Sequence, residues 1–183
     1  MPRWSTSRHL PVVTVVAALG LFAASPALAG VDRVSSAGTL ERYSPAVPPH
    51  ATARVDAVYD SHGDSTITLW VKGLRPSTEY GAHAHVNACG PTAAKAGPDF
   101  QLVPNPDPEA PHDPAFENPV NEVWLDLKTD ESGDGVATTT MPWQFSPGRG
   151  ARSVIIHAER THTGPDGPAG TAGARLACLT VAF

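Results

Sequence analysis

His83 and His85, in Gly81-Ala82-His83-Ala84-His85, stand two residues apart, and on an extended strand that spacing turns both imidazoles to one face. Two rings so placed can close on one ion, and such pairs suit copper or zinc. On its own the pair could equally be two partly buried histidines satisfied by hydrogen bonds. A third ring changes the balance. His157 ends the apolar run Ser153-Val154-Ile155-Ile156-His157, where a polar ring is costly to bury without a partner. A metal ion would supply one. Three neutral imidazoles, with no thiolate free to join if the cysteines are oxidised, fit copper cycling between two oxidation states. His50, His62 and His162 lie in turn or loop sequence and read as solvated side chains, and His112 sits in Pro111-His112-Asp113-Pro114.

Rigid strands must hold such rings. Ala53, Val55 and Ala57 alternate with polar residues, and so do Ile67, Leu69 and Val71, with Asp60-Ser61-His62-Gly63-Asp64 between them. That pattern is two antiparallel strands and a hairpin turn. Further strands are expected at 40–43, 82–86, 122–128, 136–141, 153–159 and 176–183, with 122–141 forming a second hairpin through 130–135. Residues 30–36 read as a loose leader, 44–50 as a Pro-rich connection, and no stretch has a helical period. An all-β antiparallel sandwich or Greek-key barrel of about eight strands follows. Two segments, 87–121 and 160–174, are too long for simple turns. Loops of that length are usually functional or disordered, and each adjoins a histidine-bearing strand.

Composition sets the outer bounds. The 183 residues carry 13 Lys+Arg against 18 Asp+Glu, with 19 Pro and 16 Gly, which excludes a strongly basic nucleic-acid binder and long helical repeats. Arg3 and Arg8 precede an apolar run at 10–24 and then Ala27-Leu28-Ala29, the pattern of a secretory signal peptide over 1–29. The run is too short for a stable membrane anchor. Taking 29 residues from 183 leaves 154, and losing Arg3 and Arg8 leaves 11 basic against 18 acidic side chains, an acidic exported domain of net charge −7. In an oxidising compartment Cys89 and Cys178 most simply make one disulfide, two free thiols being the other reading.

Over 68–100 and 133–183 these residues resemble the copper/zinc superoxide dismutases. Gly81 to His85 is similar to the family's Gly-x-His-x-His strand, and Ser153 to His157 to the strand bearing a further copper ligand. Gly170-Thr171-Ala172-Gly173-Ala174-Arg175-Leu176-Ala177-Cys178 resembles the family's closing signature. The resemblance implies an eight-stranded antiparallel Greek-key barrel, an immunoglobulin-like sandwich, spanning 51–183 after a leader and first strand at 30–50. It implies copper at His83, His85 and His157, Arg175 guiding superoxide, and a Cys89–Cys178 disulfide. The reaction implied converts superoxide to oxygen and hydrogen peroxide. Arg175 bonded to loop carbonyls is the structural alternative.

The pattern departs from the family on the zinc side. Gly97-Pro98-Asp99-Phe100 puts an aspartate where the family has its metal-bridging histidine. A carboxylate can ligate a metal, but it cannot copy a bridging imidazolate or its proton uptake. Asp126 stands at the zinc-binding aspartate, with Val123 where a histidine is expected and His112 the one histidine in 101–121. Asp99, His112 and Asp126 are an incomplete zinc set, so a copper-only site is expected. The 158–174 loop is short and lacks lysine, so capture of superoxide must depend on the local charge of Arg175, the metal and Arg160. The expectation is a secreted copper-dependent superoxide dismutase. A copper-buffering protein with little turnover is the first alternative, and a metal-free structural descendant the second. Homodimerisation is left open.

Overall fold

The computed structural model describes residues 1–2, 32–146 and 148–183. The signal-peptide reading therefore falls, apart from its first two residues, outside the described residues. Ten strands follow in order: β1 (Asp32–Thr39), β2 (Glu41–Arg42), β3 (Thr52–Tyr59), β4 (Ser65–Lys72), β5 (Glu79–Tyr80), β6 (Ala82–His85), β7 (Leu127–Lys128), β8 (Gly135–Met141), β9 (Ser153–His157) and β10 (Arg175–Thr180), with one 3-10 turn at Ala93–Ala96. Eight of them form two four-stranded sheets, ordered β1-β3-β4-β8 and β2-β10-β9-β6, while β5 and β7 make a separate pair. Every pairing is antiparallel. The two sheets have no shared strand, so the architecture is the sandwich form of the expected fold.

Alternation explains the first sheet. Ala53, Val55 and Ala57 of β3 lie opposite Val71, Leu69 and Ile67 of β4, and all six are buried. Their polar neighbours face outward, where Thr66–Thr140 and Thr68–Thr138 hydroxyl pairs cross from β4 to β8. The turn between β3 and β4 forms as expected, with Asp60 Oδ1 accepting from the His62 and Asp64 amides.

Two sequence expectations are corrected. Residues 32–36, read as a loose leader, belong to β1, which pairs with β3 along its whole length; ladder pairing orders a segment whose own composition gives no strong strand signal. The second hairpin is also not a hairpin. Its turn exists, with Asp130 N–H donating to Asp134 O at 2.8 Å, but the strands on either side part. β7 pairs with β5 and β8 with β4, because the turn carries the chain from the small pair to the first sheet. Between 122 and 126 only single bridges form, at Glu122 and Trp124.

In the second sheet β6 and β9 are buried on both faces. Ala82, Ala84, Val154 and Ile156 face the sandwich core with Ala177 and Leu179 of β10. Ile155 and Cys178 face the other way, against Ala96. His83 is the register partner of Ile155, and His85 of Ser153, so both histidines share that outer face. The segments 86–126 and 158–174 cover it.

Candidate metal centre

Each ring reaches the site through a different local device. His83 and His85 are 1% and 0% exposed, fixed by the β6–β9 ladder. Gly81 opens this strand where a side chain would not fit: an added Cβ would lie 2.6 Å from Ala172 Cβ and 2.7 Å from Glu159 O. His157 closes β9 and is the register partner of Arg175 at the start of β10, beside a bulge. Asp99 arrives on the covering loop. Phe100 N–H donates to Ala84 O at 2.8 Å and Val86 N–H to Pro98 O at 3.1 Å, which lays 98–100 alongside β6 with Asp99 opposite His85.

These four side chains converge. One ligand atom from each of His83, His85, Asp99 and His157 lies within 4.8 Å of the others. His83 Nδ1, His85 Nε2 and His157 Nε2 are buried without a hydrogen-bond partner, as is Asp99 Oδ1. Asp99 is near enough for charge attraction, 2.8 Å from His85 Nε2 and 3.3 Å from His83 Nδ1, yet neither contact has hydrogen-bond alignment. Buried polar atoms are almost always paired in folded proteins. Four orphaned together, three of them imidazole nitrogens, fit a metal ion as the missing partner.

The remaining ring nitrogens are held from behind. His85 Nδ1 donates to Gly97 O at 3.0 Å and His157 Nδ1 to Gly173 O at 3.4 Å, while His83 Nε2 contacts Thr161 Oγ1 at 2.7 Å. Gly97 has φ +74°, a conformation that glycine adopts without strain and that is needed to end the 3-10 turn next to this carbonyl. Outer bonds of this kind fix the orientation and tautomer of metal-binding histidines.

Charge tunes the group further. Burial, and then repulsion from His83, pushes the His157 ring down to about 3, so it is a neutral donor at any physiological pH. Burial opposes ionisation of Asp99, but His83 and His85 outweigh it and hold the carboxyl well below the usual range. For His83, burial opposes the charged ring and Asp99 outweighs it, raising its pKa.

Arg175, His157 and Asp99 line one open cleft of about 990 Å³, together with His112, Glu117 and Arg149. Arg175 Nη1 donates to Ala93 O at 3.2 Å, the loop-carbonyl contact of the structural alternative, and the same residue lines that cleft. His112 is half exposed and 3.7 Å from Glu117; it does not join the four. Nor does Asp126, whose carboxylate is bonded to Thr161. Cys89 and Cys178 form a disulfide that ties the first covering loop to β10.

Three side chains near the site escaped the sequence reading. Glu117 and Glu122 cluster with Asp99, and burial, reinforced by Asp99, pushes both carboxyls up to about 7. Alternation carried a signal for Glu122: Val123, Leu125 and Leu127 are core residues, so Glu122, Trp124 and Asp126 take the opposite face. Thr161 had no signal in its own loop.

Comparison with known proteins agrees with this geometry. Among curated proteins none matches. Cu/Zn superoxide dismutase from Brucella abortus shares the fold, with a TM-score of 0.56 and 19% identity, over 80% of this chain and 98% of that one. The sequence profile of copper/zinc superoxide dismutase matches residues 50–181, which take in β3 to β10, all four converging side chains, Arg175 and the disulfide, and the chain belongs to that family.

Proposed function

We propose that the protein is a secreted superoxide dismutase whose working metal is copper, held by His83, His85 and His157, with no complete zinc site. The observation that carries this reading is the set of three buried imidazole nitrogens, Nδ1 of His83 and Nε2 of His85 and His157, left without partners. When bound there, copper would supply alternate one-electron oxidation and reduction of superoxide.

The chain's own residues do the rest. Strand-borne rings keep their spacing in either charge state, which a site alternating between two oxidation states needs. Arg175 places a cation beside His157 in the cleft and draws in the anion against the molecule's net negative charge. Asp99 stays ionised and so cannot take up and return a proton as a bridging imidazole would. Water in the open cleft therefore delivers the protons that form peroxide. Export is supported by the leader sequence and by a disulfide, which persists in oxidising compartments.

Copper reconstitution with a superoxide assay tests the proposal. We expect one copper per chain and turnover, with His157→Ala losing both. Failure to retain stoichiometric copper overturns it. Asp99 favours the buffering alternative, for which tight copper comes with negligible dismutation, and a large gain in turnover on Asp99→His would identify the missing bridge as the cause.

A further inference from the structure

The rings of His85 and His157 are set by backbone carbonyls, but His83 is set by side chains. We propose that Asp126 and Thr161 form a positioning relay that decides which nitrogen of His83 is left bare for the metal.

The direction of each hydrogen bond follows from counting protons. Asp126 is a carboxylate and can only accept. Its Oδ2 takes the Thr161 amide proton at 2.9 Å, and its Oδ1 takes the Thr161 hydroxyl proton at 2.5 Å. A threonine hydroxyl has one proton, so toward His83 Nε2, 2.7 Å away, Thr161 can only accept. Nε2 must then carry the hydrogen. In the neutral ring Nδ1 is left with its lone pair, and Nδ1 is the atom that faces the site without an aligned hydrogen bond, where the Asp99 carboxylate, 3.3 Å away, pulls against the relay by favouring a proton on Nδ1. Thr161 is only 6% exposed, so water does not compete for these bonds, and Asp126 adds a contact of 4.0 Å to Arg160 Nε.

The relay also gives Asp126, read from the sequence as part of an incomplete zinc set, a task of its own. Both its oxygens accept hydrogen bonds from Thr161. Through this pair the loop after β9 and the segment before β7 meet behind a ring held on β6, so the cover of the site and the orientation of its ligand are one structure. The metal-facing consequence rests on the copper reading; the tautomer itself does not.

Three substitutions separate the possibilities. Thr161→Val removes the acceptor. Thr161→Ser keeps it. Asp126→Asn reverses the relay, because the Thr161 amide still needs an acceptor and claims the Asn oxygen. The Asn amide group then faces Thr161 Oγ1, whose proton turns toward His83 Nε2 and shifts the ring hydrogen to Nδ1.

Nitrogen-15 spectra of the histidine rings read this directly, in metal-free protein at alkaline pH and after loading with Cu(I). We expect hydrogen on Nε2 of His83 in the native protein and in Thr161→Ser, a mixture in Thr161→Val, and Nδ1 in metal-free Asp126→Asn. Copper affinity, measured by chelator competition, should fall about 10- to 100-fold in Thr161→Val and Asp126→Asn and hold in Thr161→Ser. Hydrogen on Nδ1 in the metal-free native protein, or native spectra and affinity in Thr161→Val and Asp126→Asn, would overturn the relay. If the native protein takes up no copper, the proposed function fails, while the metal-free spectra still decide the relay.

Discussion

Glu122 has no exposed surface and still carries a carboxyl group. Trp124 Nε1 donates to it at 2.8 Å and Gln101 Nε2 at 3.0 Å, which offsets part of the cost of burial, but the carboxyl still rises from 4.5 to about 7. Because the folded value lies above the unfolded one, the fold favours the protonated form. Its contribution is complete below about 4.5 and is lost as pH climbs through about 7. At 1.36 kcal/mol per unit the loss is at most about 3–4 kcal/mol. Urea unfolding of the metal-free protein below pH ~5 and above pH ~8 should show it, and Glu122→Gln should reduce the dependence, with Glu117, also raised to about 7, keeping its own share; an unchanged slope in the variant would refute the assignment. At this scale the sequence was partly legible. His83 and His85 could be read as a pair from period-two spacing and His157 as a buried polar ring from its apolar context, both local signals, while their meeting at one point was implied by the family resemblance. Thr161 and Glu117 could not, because their roles depend on loops meeting far-off strands.

β9 divides its labour by alternation, with Val154 and Ile156 toward the core and Ile155 and His157 toward the outer face. Ile156→Ala should lower unfolding free energy by about 2–5 kcal/mol through a cavity on the core side. Copper stoichiometry below the melting temperature should be unchanged, since the ligands stand on the other side. Loss of metal binding in a still-folded variant would show that the two faces are coupled. The same two-sided burial explains why this strand reads as a plain apolar run while β3 and β4 read as alternating ones. It also marks the limit of local pattern: the turn at 130–134 was visible, but a turn does not say which strand its arms will join, and β7 and β8 join different partners.

For the molecule as a whole the Cys89–Cys178 bridge is the longest covalent constraint, closing a separation of 89 residues. Chain-entropy arithmetic for such a loop gives about 4–5 kcal/mol. Replacing both cysteines by serine should cost that order of stability, measured by denaturant titration, and loosen the 86–126 cover relative to β10; a loss well under 1 kcal/mol would mean that the reduced chain already holds the loop in place. The metal-facing and core-facing sides of the second sheet share a backbone but no side chains. Substitutions at the ligand positions therefore leave the packed side of that sheet its own contacts. An aspartate in a histidine's place is then a change of vocabulary within an intact grammar.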